Sequence, residues 1–207
     1  MVIAIDGPAG TGKSTVARAV AERLGFTYLD TGAMYRAVAL ATGESGDAAA
    51  EVARRIRLDL GERVLVDGRD VTEAIRTPEV TAATSHVAAD PAVREALVAK
   101  QRAIVADGDW VAEGRDIGTV VAPDAAVKVF LTATPEERAR RRAAQTGGDY
   151  ETTLRDQAER DEHDSTADRA IFEAPLDSVP VDTTELSLDE VIEQIATLVV
   201  EAKEVGA

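Results

Sequence analysis

Eight residues near the start of the chain, Gly7-Pro8-Ala9-Gly10-Thr11-Gly12-Lys13-Ser14, have the types and spacing of a phosphate cradle. Glycines let the backbone curl until successive N–H groups point inward at an anion. The start of a helix adds partial positive charge, and Lys13 adds a full one. The Ser14 hydroxyl is placed to ligate a magnesium ion, and Thr15 completes the binding run. The pattern has this meaning only between a strand and a helix. Both flanks qualify: Val2-Ile3-Ala4-Ile5 is an apolar strand run, and Val16, Val20 and Leu24 share one face of a helical pattern from Lys13 to Leu24. The expectation is that residues 7–15 hold the phosphates of a nucleoside triphosphate.

Three more groups could act on such a ligand. Asp30-Thr31-Gly32-Ala33-Met34-Tyr35-Arg36 follows a second strand and opens a helix. Thr31 is expected to cap that helix, and Arg36 can lean back over its first turn to hold an acceptor phosphate. Glu113-Gly114-Arg115-Asp116 follows a third strand; Glu113 or Asp116 could help hold magnesium, directly or through water, and Arg115 between them calls for an anion. Thr134-Pro135 begins a helix in which Arg138, Arg141 and Arg142 share one face while Arg140 points elsewhere. Some of these arginines are candidates to swing onto the transferring phosphoryl group. His86 and His163 have no partner at a recognisable spacing and are read as non-catalytic.

The elements that must position these groups read as an α/β fold. Val2–Ile5, Phe26–Leu29, Trp110–Ala112, Val127–Leu131 and Val179–Val181 have the pattern of five buried parallel strands, most of them separated by helical stretches. Ligands of such sheets bind at the carboxyl ends of strands, where the polar groups above fall. Two regions break the alternation. Residues 43–107 read as an inserted module, with a hairpin at Ile56–Leu60 and Arg63–Asp67 turning through Gly61-Glu62 in a type II′ turn, then two helices, the later one opened by Asp90-Pro91. Residues 138–176 are charged and poor in large apolar residues, a helical flap divided at Gly147-Gly148. The chain closes with Ser187-Leu188-Asp189-Glu190, a capping-box pattern, ahead of a helix packed through Val191, Ile195, Leu198 and Val199.

Composition narrows the function classes. The chain has 207 residues and a formal net charge of −15, the opposite of the basic stripe of a nucleic-acid binder. It has no cysteine, so disulfides and thiolate metal sites are excluded. A strand beginning at residue 2 leaves no room for a signal peptide, and no apolar stretch approaches a membrane span, so the expectation is a soluble, cytoplasmic protein. The guanine-reading N-K-x-D motif of a regulatory NTP switch is absent.

Taken together, the motifs resemble those of the bacterial cytidylate kinase family, within the nucleoside monophosphate kinases. The resemblance spans nearly the whole chain: I-D-G-P-A-G-T-G-K-S-T at 5–15, L-D-T-G-A-M-Y-R at 29–36, D-V-T-E-A-I-R-T-P-E-V at 70–80, A-E-G-R-D-I-G-T-V-V at 112–121, the segment from Ala126 through Arg138, and R-D-E-H-D-S at 160–165. It implies an adenylate-kinase-like core of five parallel strands flanked by helices (residues 1–42, 108–137 and 177–207), a small α/β NMP-binding insertion (43–107) and a lid (138–176). It implies ATP and Mg2+ as donor and metal, CMP or dCMP as acceptor, and a monomer. By resemblance, Ser85, Arg94 and Asp116 read the cytosine edge, Arg160 and Asp164 hold the ribose, Thr31 lies in the acceptor site, and Arg36 and Arg115 hold its phosphate. Lys13, Arg115, Arg138 and Arg142 form the expected catalytic set. Asp116 then belongs to the base, leaving Ser14 and water to the metal. One departure stands out. Ala167 occupies the place of an arginine in the family's R-D-x-x-D-S-x-R pattern, and Arg169 is expected to substitute as the phosphate ligand. The rival acceptors are UMP, AMP and shikimate.

Overall fold

Strand β1 (Val2–Asp6) consists of apolar residues from Val2 to Ile5, and Ile3, Ala4 and Ile5 are wholly buried, as expected of a central parallel strand covered on both faces. The structure is a computed structural model that describes residues 1–166 and 174–205, with the backbone alone for residues 160, 163–166 and 205. β1 leads through the glycine-rich loop into α1 (Lys13–Leu24) and then β2 (Thr27–Asp30). The chain returns to the same sheet much later with β6 (Trp110–Glu113), β7 (Val127–Thr132) and β8 (Val179–Asp182), giving the parallel order β2-β6-β1-β7-β8. Val2 to Ile5 pair with Trp110 to Glu113 on one side, and Ile3 to Asp6 with Val127 to Phe130 on the other. The connection from β1 departs toward β2 and β6 while β7 lies on the opposite flank, so the loop after β1 sits at the sheet's switch point. The five expected strands are all present.

Alternate sheet residues Ile3, Ile5, Val111, Val129, Leu131 and Val181 form one apolar surface. It is covered by Val16, Ala17 and Val20 of α1 and by Val191, Ile195 and Val199 of α8 (Leu188–Val205). Truncating one of the large residues here, for example Ile5→Ala, costs about 2–5 kcal/mol. The capping box before α8 forms in both directions: Ser187 Oγ accepts from the Glu190 N–H, and the Glu190 carboxylate accepts from the Ser187 N–H at 2.8 Å. The charged region gives α6 (Pro135–Thr146) and α7 (Tyr150–Thr166), with α6 ending at Gly147 as expected.

Residues Leu29–Asp107 form a compact unit of their own. It contains α2 (Thr31–Ser45), α3 (Ala49–Arg55), a small antiparallel sheet of β3 (Leu58–Leu60), β4 (Val64–Val66) and β5 (Arg69–Asp70), a 3-10 turn at Ala74–Arg76, α4 (Pro78–Ala89) and α5 (Pro91–Val105). Helix α5 starts as expected: Asp90 Oδ1 accepts from the Ala92 N–H at 2.8 Å and Pro91 takes the first helical position. The hairpin differs from expectation. Leu60 pairs with Val64, so Gly61-Glu62-Arg63 form a three-residue loop in place of a two-residue type II′ turn. That register keeps Val64 and Val66 buried, and burial outweighs turn preference. The tight turn lies one strand later at Asp67-Gly68, where both residues have positive φ (50° and 84°) and Val66 pairs with Arg69. Asp-Gly is the strongest short hairpin signal, and it identifies a strand missing from the sequence reading.

Among the described residues, no helix is long and apolar enough to cross a membrane.

Candidate active site

The glycine-rich loop is shaped by close packing. A Cβ on Gly7 would lie 2.1 Å from the Leu131 carbonyl oxygen, so only glycine lets β1 pass β7 and turn at that point. Lys13 is buried and its Nζ donates to the Pro8 carbonyl at 2.7 Å, which folds the ammonium back over the loop. Thr11 Oγ1 donates to the same carbonyl at 3.1 Å, and the Thr11 carbonyl accepts from Thr183 Oγ1 at 3.2 Å. Helix α1 begins after Gly12 with no side-chain cap and no acidic residue in its first turn. Ser14 and Thr15 are exposed there. A helix start whose N-cap residue supplies no side-chain acceptor, next to a lysine, suits an anion.

The end of β6 carries the acidic cluster. Glu113 is buried and accepts from the Tyr28 hydroxyl at 2.5 Å. Arg115 Nη1 donates to the Gly7 carbonyl at 3.1 Å, joining this segment to the loop. Asp116 precedes a π-helical turn, Ile117–Val121, whose Ala122 N–H reaches the Ile117 carbonyl. Asp6 fixes that turn. Its carboxylate is 4% exposed and accepts from the N–H groups of Ile117 (2.9 Å) and Gly118 (2.8 Å). Burial pushes its pKa up to about 6, against the pull of those two N–H groups, with the nearby Asp116 charge adding to the rise and Lys13 opposing it. The role of Asp6 was not foreseen from sequence. The available signal was a carboxylate at the carboxyl end of an otherwise apolar central strand.

The arginines of α6 separate by burial. Arg138 is 4% exposed: Nε donates to the Ala133 carbonyl, Nη1 to the Ala9 carbonyl at 3.0 Å, and Nη2 pairs with Asp161 at 2.7 Å. Arg141 donates to Thr183 Oγ1 and the Thr183 carbonyl, and pairs with Glu137. Its Nη1 lies 4.0 Å from the point a Cβ on Gly12 would occupy. Arg142 is exposed and donates to Gln145, and Arg140 is exposed against Glu137. Glu137 is drawn down to about 2 by its bond to Arg140 and then by Arg141. Helical spacing put Arg138, Arg141 and Arg142 on one face; packing against α7 and β8 brings the first two to the loop and leaves Arg142 in solvent. The side chains of Arg160 and Asp164, and Ala167 and Arg169 altogether, lie outside the described residues.

In the Leu29–Asp107 unit, the cap of α2 is one residue earlier than expected. Asp30 Oδ1 accepts from the Ala33 N–H at 2.8 Å, and Thr31 is the first helical residue, buried at 4%. The extended backbone of Asp30 places a carboxylate, the stronger acceptor, where the Thr31 hydroxyl was expected. Arg36 does lean back: its Nη2 pairs with Asp30 Oδ2 at 2.8 Å, and its Nη1 lies 3.1 Å from a Cβ built on Gly32. Arg36 Nε is buried with no hydrogen-bond partner among the described residues. Ser85 and Arg94, both half-buried, lie on the packed helices α4 and α5.

A family model described as cytidylate kinase matches residues 3–201. The chain is 46% identical over 215 residues to a cytidylate kinase of Carboxydothermus hydrogenoformans, covering 96% of this chain and 97% of the relative. It is 48% identical over 223 residues to one of Rhodococcus opacus, covering 100% and 97%. It is also 50% identical over 215 residues to a bifunctional pantoate ligase/cytidylate kinase of Parasynechococcus marenigrum. That match covers 94% of this chain and only 42% of the longer relative. Among solved structures, a gluconokinase of Sinorhizobium meliloti 1021 superposes with a TM-score of 0.54 at 18% identity, covering 99% of this chain and 94% of that one, a likeness of fold.

Proposed function

The chain belongs to the cytidylate kinase family, and we propose that it transfers the γ-phosphoryl group of ATP to CMP or dCMP, giving ADP and CDP or dCDP. The observation that carries this reading is the family match over residues 3–201, at 46–48% identity to relatives of similar length. The structure supports the donor half: a loop at the sheet's switch point, an uncapped helix start, and Lys13 and Arg141 beside it.

A phosphate oxygen of CMP is already ionised near neutral pH and attacks the γ-phosphorus without a general base. The new O–P bond forms as the bond to the β-phosphate oxygen breaks, and ADP leaves with that electron pair. Catalysis is then alignment and charge stabilisation. Lys13 and the loop N–H groups hold the donor phosphates, and Arg115 and Arg36 take the acceptor phosphate. Arg138 and Arg142 are proposed to follow the moving group, for which Arg138 must leave Asp161. Ser85, Arg94 and Asp116 read the cytosine edge; Arg160 and Asp164 hold the ribose, with Arg169 as a further phosphate ligand. Thr31, buried at the start of α2, is proposed to line the acceptor site. Among the described residues no three carboxylate or imidazole groups converge on a metal position. Ser14, exposed at the start of α1, is proposed to hold magnesium together with water and triphosphate oxygens, the usual coordination of that ion in nucleotide sites. Magnesium supplies charge neutralisation across the donor phosphates when bound. Residues 43–107 would act as the acceptor-binding insertion and 138–176 as a lid that excludes water in a cytoplasmic monomer.

A steady-state assay with CMP, dCMP, UMP, AMP and shikimate as single acceptors tests the reading. CMP and dCMP should give the highest kcat/KM; any other acceptor in first place overturns it.

A further inference from the structure

The charged pattern of α7 hides one buried amide with no part in the site described so far. Gln157 is 8% exposed, and its Nε2 donates to the Ala9 carbonyl at 3.1 Å. Arg138 Nη1 donates to the same oxygen at 3.0 Å. Two donors on one carbonyl occupy both its lone pairs and fix the orientation of the Ala9–Gly10 peptide. That peptide is trans, so its N–H points opposite to its carbonyl. With the Ala9 oxygen drawn to α6 and α7, the Gly10 N–H is turned away from those helices.

Two further observations show that the amide is fitted to this position. A Cβ on Gly10 would meet Gln157 Nε2 at 2.8 Å and Arg138 Cβ at 3.0 Å, so both side chains pack directly against the loop where only glycine leaves room. Meanwhile Gln157 Oε1 is buried with no hydrogen-bond partner among the described residues. Methionine would fill much the same volume with no buried amide oxygen. An amide retained at that cost points to work done by its N–H.

We propose that Gln157 is a positioning residue for the phosphoryl donor: with Arg138 it presets the Ala9–Gly10 peptide so that the Gly10 N–H is aimed at the triphosphate. This rests on reading residues 7–15 as the triphosphate cradle, and it does not depend on the identity of the acceptor. Because the donor sits on α7, the shape of the loop is tied to the placement of that helix.

The test compares wild type with Gln157→Met, which removes the donor at nearly constant volume, and Gln157→Glu, which keeps the shape but cannot donate when ionised. Calorimetric titration with magnesium tripolyphosphate and with ATP reads the cradle, titration with CMP reads the acceptor site, and urea unfolding reads stability. Both variants should bind tripolyphosphate and ATP about three- to tenfold more weakly, since Arg138 still holds the carbonyl. CMP affinity should stay within twofold, kcat at saturating ATP should fall less than kcat/KM for ATP, and Gln157→Met should be no less stable than wild type. Either variant suffices. Tripolyphosphate affinity within twofold of wild type, or a parallel loss for ATP and CMP, overturns the proposal. If tripolyphosphate binding depends on Gln157 while wild type fails to phosphorylate CMP, the proposal stands and the acceptor reading falls.

Discussion

Two helices of this chain start at the carboxyl ends of strands in one parallel sheet, and they treat their first N–H groups in opposite ways. Helix α1 follows β1 with no side-chain cap, no acidic residue in its first turn, and Lys13 beside it. Helix α2 follows β2 and is closed by Asp30, which also takes the one arginine that leans back over it. Helix starts attract anions unless the chain supplies its own. The first terminus offers an anion an open helix start beside a lysine, and we propose that it takes the donor phosphates. On the proposed reading, the second exchanges the Asp30–Arg36 pair for the acceptor phosphate.

The sharpest way to break this contrast is to remove the charge at the open terminus. Lys13→Met should lower kcat by about 100- to 1000-fold, as for loss of one transition-state donor, with CMP binding retained; single-turnover kinetics reads it. At the closed terminus, Arg36→Ala should raise the CMP requirement by about tenfold or more, the scale of a charged hydrogen bond, with the KM for ATP little changed. Asp30→Ala removes the cap instead and should cost about 1 kcal/mol of stability in urea melts, while Asp30→Asn, which retains an acceptor, should cost less.

Asp6 joins the loop side to the β6 end and gives the comparison a pH signature. Its folded pKa is about 6, raised from 3.8 by burial. A raised carboxylate contributes stability that is fully present below the unfolded value and lost as pH rises through 6. Asp6→Asn should therefore look more favourable relative to wild type at pH 7 than at pH 4, by up to about 3 kcal/mol, in melts at the two pH values. Wild-type turnover should also fall as pH drops below 6, because a protonated carboxyl accepts more weakly from Ile117 and Gly118. The smallest effect belongs to Glu137 on α6: Glu137→Gln removes its pairs with exposed Arg140 and half-buried Arg141 and should change stability by about 1 kcal/mol or less.

What was legible in the sequence was local. Apolar runs gave five strands, Asp90-Pro91 and Ser187–Glu190 gave helix starts, and the loop at 7–14 showed its place between a strand and a helix, because each depends on neighbours a few residues away. What was missed depends on distant packing. Asp6 answers to N–H groups more than a hundred residues later. Arg138 and Arg142 share a helical face, yet Asp161 and the Ala9 carbonyl hold one while the other meets solvent. Gln157 sits in a charged helix with nothing in its pattern to distinguish it. Two misses were local: the Asp67-Gly68 turn had a clear signal, and the α2 cap lay at Asp30, one residue before the threonine chosen.

A competition experiment tests the central claim most directly. Purified protein is given ATP, magnesium and equimolar CMP, dCMP, UMP and AMP, and the diphosphates are quantified by chromatography at low conversion. CDP and dCDP should be the dominant products with matching ADP; a dominant UDP product, excess ADP from AMP, or ADP formed without any acceptor diphosphate would contradict phosphoryl transfer to CMP and dCMP.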